Sequence, residues 1–269
     1  MIRLPDVPLP SEALNRLAVY QAEVNSAGGY ADQVVAAKKL FKARNTKSNA
    51  TFKTVRGKLL EMCSGFGRCV YCEVSQADEV EHMRPKDLYP EAVFDWGNYV
   101  YACGPCNGPK NSQFAVLPPR TRTLQIVTRA GGDPIKPPIA GRPALIDPRT
   151  EDPLQYMELD LAGTFWFVPT AVDGSREYHR AKFTIDLLRL NDREVLVSAR
   201  RSAFGSYRAR LAEYRQKKQS GTSANELDQL AKGIKEMPYP TVWQEMKRQR
   251  LSYAELTAIF NDVSEALEW

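Results

Sequence analysis

Apolar residues recur at helical spacing near the start of the chain. Residues 11–25 have the pattern of an amphipathic helix, with Ser11 in the N-cap position. Further along, Phe52, Val55 and Leu59 follow one another at intervals of three and four residues. This spacing puts all three side chains on one side of a helix, so we expect a buried stripe there and polar residues opposite it.

Two short segments in the middle of the chain have the pattern of strands. Asp78–Met83 alternates in character, and Asn98–Cys103 is rich in aromatic and β-branched residues. Gly104-Pro105 follows the second segment, and proline is favoured at the first position of a helix, so a short helix is expected to begin there. The predicted order across residues 69–114 is strand, loop, strand, helix.

The remainder of the chain is mainly helical, after one extended interval. Residues 117–142 are rich in proline, glycine and arginine, which predicts a linker or an extended wrap. Residues 154–168 contain two alternating apolar runs around a turn, which predicts a β-hairpin. Five helices are expected after the hairpin, at about 176–189, 192–218, 225–236, 241–250 and 252–267.

Composition limits the class of protein. The chain has 269 residues, enough for two domains or one elaborated domain. Its net charge of +5 suits a polyanionic partner, although mildly. No apolar run approaches membrane-spanning length and the N-terminus lacks the apolar centre of a signal peptide, so we expect no membrane partner.

Positive charge is concentrated in one block. From Lys38 to Lys58 the sequence has eight basic residues and no acidic one. Blocks of like charge are often interaction surfaces, and the functional interpretation is a surface that follows a nucleic-acid backbone. Lys53, Arg56 and Lys58 are its candidate substrate-binding residues. The alternative is a solubilising surface without a ligand.

Four of the five cysteines form two Cys-x-x-Cys pairs. Cys69 and Cys72 make the first pair, and Cys103 and Cys106 make the second. Two such pairs supply the four thiolates of a closed tetrahedral site, so Zn²⁺ is the expected structural metal. The thirty residues between the pairs exceed the usual gap, so the intervening chain must return to its starting point.

The alternative for these residues is four unrelated buried or redox-active thiols. Cys63 lies outside the pattern and is expected to be an ordinary buried thiol. Thiols paired for a metal rather than for disulfides indicate a reducing compartment, so we expect a cytoplasmic protein.

Side chains suited to phosphodiester hydrolysis lie between and beside the cysteine pairs. They are Glu81, His82, Asn98 and Asn107. A neutral imidazole can take a proton from water, and carboxylate and amide oxygens can hold Mg²⁺ or Mn²⁺. His82 is one of only two histidines, and its alternative role is structural. Because neighbours on a regular strand point to opposite faces, Glu81 and His82 are expected to serve one site only if the strand bends there.

Residues 69–114 resemble the HNH, or ββα-metal, nuclease motif in its four-cysteine zinc form. The matching string is Cys-x-x-Cys, Glu-His-x-x-Pro, Trp-x-Asn and Cys-x-x-Cys-Asn-x-x-Lys. The resemblance implies that His82 is the general base and that Asn98 holds the loop and the base in position. It also implies that Glu81 and Asn107 ligate a catalytic Mg²⁺ or Mn²⁺. Most members have Asp at the position of Glu81, so this chain departs from the pattern by one methylene.

Two basic residues of the same region are candidate phosphate contacts. Lys110 ends the matched string, and Arg84 lies just after the Glu-His pair. Phosphate contacts are a common but unspecific use of such residues, so a solvated surface charge is the alternative for each.

A weaker resemblance extends beyond this motif. Leu145–Pro148, Glu151–Pro153, the segment from Arg180 to Asn191, and Arg200 resemble the PtuB-type HNH proteins. Members of that group act as nuclease effectors of bacterial anti-phage systems, Septu and certain retrons, beside an ABC-type ATPase. The resemblance implies the same role here. The expected substrate is DNA, double-stranded in preference to RNA, and the C-terminal helices would be the surface for docking the ATPase.

The predicted fold is α+β and mostly helical, with a small zinc-bound ββα core. The expected segments are an N-terminal basic helical segment (1–62), the nuclease core (63–120), a linker with a hairpin (121–174) and a C-terminal helical region (175–269). The predicted function is a metal-dependent DNA endonuclease. One alternative is a zinc-bound module that binds nucleic acid or protein without hydrolysis, and another is a structural subunit with a decayed motif. The complete set of four candidate catalytic residues favours the enzyme.

Overall fold

Three helices open the chain in the computed structural model, which describes residues 1–269. They are α1 (Ser11–Asn25), α2 (Tyr30–Arg44) and α3 (Ala50–Glu61). Buried side chains recur every three or four residues in these helices, and Phe52, Val55 and Leu59 form the buried stripe of α3. The periodicity of the sequence is thus confirmed for this part of the chain.

The starts of these helices differ in part from the prediction. Pro10, and not Ser11, occupies the N-cap position of α1, and no side chain caps that end, so the predicted Ser11 cap is wrong. Asn49 does cap α3, because its side-chain oxygen accepts a hydrogen bond from the backbone nitrogen of Phe52 at 3.1 Å. The basic block from Lys38 to Lys58 is therefore divided between two helices and the turn that joins them.

The middle of the chain is a strand pair followed by a short helix. Strands β1 (Glu79–His82) and β2 (Tyr99–Ala102) are antiparallel, with Glu81 opposite Val100. Helix α4 (Gly104–Lys110) begins immediately after Cys103. The elements follow the predicted order of strand, loop, strand and helix.

A small sheet and a hairpin follow. Strand β3 (Ala115–Leu117) pairs on one side with β4 (Gln125–Ile126) and on the other with β5 (Arg142–Pro143). Gly141 lets β5 approach, because a Cβ there would lie only 2.8 Å from the carbonyl of Leu117. The predicted linker of residues 117–142 thus runs from the end of β3 to the start of β5 and contains β4. The predicted hairpin is confirmed as β6 (Met157–Leu159) and β7 (Phe167–Pro169).

Helices make up the remainder of the chain. They are α5 (Arg176–Leu187), α6 (Glu194–Gln219), α7 (Ala224–Lys235), α8 (Pro240–Arg248) and α9 (Ala254–Asp262). All five were expected, within a few residues at each end. About half of the residues of the whole chain are helical, so the fold is α+β and less helical than expected. No helix combines the length and the apolar character that crossing a membrane requires.

Buried polar side chains join the helices to the small sheets. Arg180 donates to both carboxylate oxygens of Glu151, at 2.7 and 2.6 Å, and to the Pro143 carbonyl at 2.9 Å. Arg200 donates to the Phe165 carbonyl at 2.9 Å. Arg180 and Arg200, two residues of the weaker resemblance, therefore hold the segment after β3 and the β6–β7 hairpin against the helices.

One hydrophobic core contains residues from all four predicted segments. Its 53 buried residues include Leu17 from the N-terminal helices, Tyr71 beside the first cysteine pair, Met157 from the hairpin and Leu211 from α6. The predicted segments therefore do not have separate cores. Burial of apolar surface in this shared core positions the N-terminal and C-terminal helices against the strand pair.

Candidate active site and cysteine cluster

The four paired cysteines come together in the interior. Their sulfur atoms all lie within 4.8 Å of one another and all four residues are buried. Sγ of Cys72 lies 3.8 Å from Sγ of Cys103. Four converging thiols of this kind suit a tetrahedral zinc ion. Cys63 lies outside the cluster, and burial raises the pKa of its thiol to about 12.

The strand pair explains how the long gap between the cysteine pairs is closed. The backbone of Val70 donates to the Tyr101 carbonyl at 3.2 Å, and that of Asp78 donates to the Ala102 carbonyl at 3.1 Å. The start of the intervening chain is thereby held against β2, which is the end of that chain. The second pair lies at the start of α4, where Cys103 is the N-cap residue.

His82 is held rigidly in the neutral form. Its ring is 4% exposed, and the ring centroid of Phe41 lies 4.4 Å from its own. Nε2 lies 3.0 Å from the carbonyl oxygen of Val93, which can only accept, so Nε2 carries the proton. Burial, followed by the positive charge of Lys86, lowers the pKa of the imidazole to about 3. Nδ1 is consequently unprotonated at neutral pH, while the same burial and positive charge make it a weaker base than a free imidazole.

Asn98 fixes the loop that presents this carbonyl. Its Nδ2 donates to the Ala92 carbonyl at 2.9 Å and to the Arg84 carbonyl at 3.0 Å. Its Oδ1 accepts from the Arg84 backbone nitrogen at 2.7 Å. Arg84 lies just after His82, and Ala92 directly precedes Val93. Asn98 therefore holds the backbone next to His82 and the backbone next to its carbonyl acceptor. These contacts hold the loop that carries the Val93 carbonyl, the acceptor for Nε2 of His82.

The N-terminal helices brace the same loop from the other side. The amide of Gln21 in α1 donates to the Pro90 carbonyl and accepts from the Phe94 backbone nitrogen, each at 3.0 Å. Tyr30 of α2 donates to the Leu88 carbonyl at 2.9 Å. These contacts were not foreseen, because carbonyl acceptors have no signature in the sequence.

Glu81 is paired inside the protein with Lys110. The Lys110 ammonium contacts a carboxylate oxygen of Glu81 and donates to the His82 carbonyl at 2.7 Å. Burial raises the pKa of Glu81, and the Lys110 charge opposes this effect. Lys110 is completely buried, so its predicted contact with a substrate phosphate does not fit its position. Its ammonium compensates an internal charge instead.

Glu81 and His82 nevertheless line the same cleft. Strand β1 pairs only with β2, which leaves its other edge free. A cleft of about 790 Å³ is lined by every residue from Asp78 to His82, hence by residues from both faces of β1, and by Asn107. Side chains from both faces of a strand can reach a cleft at the strand edge, so the expected bend in β1 is unnecessary.

Asn107 contacts an acid that the sequence analysis did not select. Its Nδ2 donates to Oε2 of Glu79 at 2.5 Å. Glu79 lies two residues before Glu81 in β1, so both carboxylates extend from the same face of the strand. The alternation Glu79-Val80-Glu81 was the signal in the sequence that could have identified Glu79.

Basic residues also line the cleft. Lys47, Arg56 and Lys86 are among its lining residues. The Arg56 guanidinium is held by the side-chain oxygen of Asn45 and the carbonyl of Thr46, each at 2.8 Å. Lys86 was missed by the sequence analysis. Lys86 lies three residues after the first strand-like segment, which ends at Met83, and nothing in the sequence around it distinguished it from a surface lysine.

Three other predicted substrate contacts lie outside this cleft. Lys58 pairs with Glu61 at 2.8 Å, and Lys53 is exposed on α3. Arg84 lies against the ring of Tyr89 and lines a different cavity of about 510 Å³. The structure therefore brings Arg56 alone, of the predicted basic residues, to the cleft that contains His82.

Comparison with known proteins gives one partial similarity. The Septu protein PtuB of Bacillus thuringiensis is 46% identical over 59 residues, which cover 20% of this chain and 22% of that protein. The similarity thus concerns about a fifth of each protein. No family model matches the chain. No solved structure shows significant similarity to it.

Proposed function

We propose that this protein is a metal-dependent endonuclease of the HNH class that hydrolyses phosphodiester bonds in DNA. The observation that carries the proposal is the cleft in which Glu81, His82 and Asn107 meet beside the four-cysteine cluster. Support comes from the orientation of His82, whose Nε2 is tied to the Val93 carbonyl while Nδ1 stays unprotonated and without a hydrogen bond, as a general base requires. The order of strand, strand and helix supports the assignment to the ββα-metal class.

The residues of the cleft divide the reaction between them. Nδ1 of His82 accepts a proton from the attacking water, whose oxygen forms the new bond to phosphorus while the bond to the leaving oxygen breaks. Asn98 keeps His82 oriented through the turn at Val93. Glu81 and Asn107 would hold Mg²⁺ or Mn²⁺, which supplies positive charge to the phosphate and the leaving oxygen when bound.

The basic residues of the cleft support a polyanionic substrate. Arg56, Lys47 and Lys86 line the same cleft as the carboxylates, where they can contact the phosphates of a bound strand. Such contacts depend on backbone charge and not on base identity. We propose double-stranded DNA as the substrate, with binding that weakens as salt concentration rises.

Zinc would act as a structural metal. The four buried thiols offer a closed tetrahedral ligand set with no place for substrate. Bound zinc would join the turn after α3 to the start of α4, and Asn107 directly follows Cys106 in that helix. The cluster therefore supports the position of the cleft without taking part in hydrolysis.

The proposed biological role is that of a nuclease effector in anti-phage defence. It is supported by the partial similarity to the Septu protein PtuB and by the weaker motifs that resemble PtuB-type proteins. An ABC-type ATPase is the proposed partner, and the surface of the C-terminal helices is the proposed docking surface. In this role, the ATPase would control when the cleft meets DNA.

Cleavage of plasmid DNA by purified protein tests the activity. We expect cleavage with Mg²⁺ or Mn²⁺, alone or with a partner ABC-type ATPase, and a loss of about 10²–10⁴-fold in His82→Ala. His179→Ala is the matched control, since it removes the other histidine, on α5, and should cleave normally. Equal cleavage by His82→Ala and wild type would remove the assigned base. Absence of cleavage under every metal and partner condition would leave the binding module as the better description.

A further inference from the structure

The proposed metal ligands provide little negative charge. Asn107 is neutral, and the single charge of Glu81 is opposed by the buried ammonium of Lys110. Lys86 adds a further positive charge to the lining of the cleft. Mg²⁺ and Mn²⁺ prefer hard, negatively charged oxygens, so Glu81 and Asn107 by themselves would leave most of the charge of a dication uncompensated until a phosphate binds.

Glu79 supplies the missing charge at the right place. Its Oε2 is 2.5 Å from the side-chain amide of Asn107 and its carboxylate extends from the same face of β1 as that of Glu81. Glu79 has no basic partner among the salt bridges of the structure and lines the cleft. A half-turn of the Asn107 amide exchanges Nδ2 for Oδ1, which would bring two oxygen ligands together.

Buried groups with free ligand atoms face the same cleft. His82 is 4% exposed and its Nδ1 makes no hydrogen bond, and Glu81 is 5% exposed with one carboxylate oxygen, Oε2, that makes none. Neither atom is among the buried polar atoms that are sealed from solvent without a partner. Because both residues line the cleft, these two lone pairs are open to a species that enters it.

We propose that Glu79 is a third ligand of the catalytic cation and the main source of its negative charge. This inference rests on the proposed nuclease function and adds a residue that the motif does not contain. Glu81 then serves as a ligand whose charge is moderated by Lys110, and Asn107 lies between the two carboxylates. The same chemistry explains why a chain with Glu in place of Asp before the histidine can still hold the cation.

Glu79→Gln is the decisive variant. Glutamine keeps the length of the side chain and can still bond to Asn107, so the fold is expected to persist while the charge is lost. The measurement is the affinity of the zinc-loaded protein for Mn²⁺ without DNA. Calorimetry, or the electron paramagnetic resonance signal of free Mn²⁺, gives this affinity. Asp78→Asn is the matched control, because Asp78 is an exposed neighbour that also lines the cleft.

We expect Mn²⁺ affinity to fall about tenfold or more in Glu79→Gln and to change little in Asp78→Asn. Cleavage by Glu79→Gln should recover as the Mn²⁺ concentration is raised. Wild-type affinity in Glu79→Gln would overturn the inference, as would an equal loss in both variants.

The two proposals fail in different ways. If wild type binds Mn²⁺ and loses affinity in Glu79→Gln but never cleaves DNA, then the nuclease function fails while the cation site stands. If wild type cleaves DNA in a manner that depends on His82 and Glu79→Gln binds Mn²⁺ normally, then the nuclease function stands and the role of Glu79 fails.

Discussion

The guanidinium of Arg193 donates a hydrogen bond from Nη2 to Sγ of Cys106 at 3.1 Å. Arg193 precedes α6, and the same Nη2 also donates to the Leu188 carbonyl at 3.1 Å, so this end of the guanidinium is held between the two acceptors. Four thiolates carry more negative charge than one zinc ion neutralises. The C-terminal region thus delivers a positive charge directly to the cysteine cluster.

Loss of Arg193 is expected to weaken zinc retention. In Arg193→Gln, zinc should pass to a coloured chelator about tenfold faster than in wild type, because partners that bond to metal ligands tune metal affinity. Arg210→Gln is the control, since Arg210 is exposed on the same helix. Unchanged zinc release in Arg193→Gln would contradict this role for the hydrogen bond.

Arg56 and Lys58 are expected to differ in DNA binding although both belong to the basic block. Arg56 lines the cleft and Lys58 pairs with Glu61 outside it. Arg56→Gln should weaken DNA binding, and the slope of the logarithm of affinity against the logarithm of salt concentration should fall by about one, the value for one phosphate contact. Lys58→Gln should change neither quantity. Fluorescence anisotropy with labelled duplex DNA at several salt concentrations measures both. An equal effect of the two changes would favour a diffuse basic surface.

Removal of Lys110 should destabilise the protein instead of only weakening substrate binding. Lys110→Met leaves Glu81 buried without its partner, at an expected cost of about 3–5 kcal/mol in the free energy of unfolding. Lys53→Met, on the exposed side of α3, should change that free energy little. Chemical denaturation of both variants tests the difference. A normal free energy of unfolding in Lys110→Met would instead favour the phosphate contact that the sequence predicted for Lys110.

The Arg180–Glu151 pair should contribute stability that depends on pH. Burial raises the pKa of Glu151, but the hydrogen bonds and charge of Arg180 outweigh it and lower that pKa to about 2. The folded form therefore holds its proton less tightly than the unfolded form. The stabilisation is complete above the unfolded pKa, near 4.5, and is lost as pH falls toward 2.

Comparison of Glu151→Gln with wild type measures this contribution. The variant should be less stable by about 3 kcal/mol at pH 7, and the difference should shrink on acidification to pH 3. Glu213→Gln, on the exposed side of α6, should show no such pH dependence. A difference between Glu151→Gln and wild type that stays constant from pH 7 to pH 3 would exclude the carboxylate as its source.

Local patterns in the sequence were sufficient for the helices and strands and for the grouping of the four cysteines. The periodicity of Phe52, Val55 and Leu59 and the alternation before His82 depend on residues a few positions apart, and the structure has the helix and the strand there. Two identical cysteine spacings were enough to predict one cluster, because few arrangements other than a metal site require them.

Partners distant in sequence were decided only by the tertiary structure. Lys110 contacts Glu81 across 29 positions and Arg193 contacts Cys106 across 87. The acceptor for His82 is a backbone carbonyl at Val93, which any residue type could provide. The sequence by itself therefore determined which groups are present and which local elements carry them. Packing in the shared core determined which charged groups meet. A buried ammonium or carboxylate is costly unless it is paired, and only the fold decides which partner lies within reach.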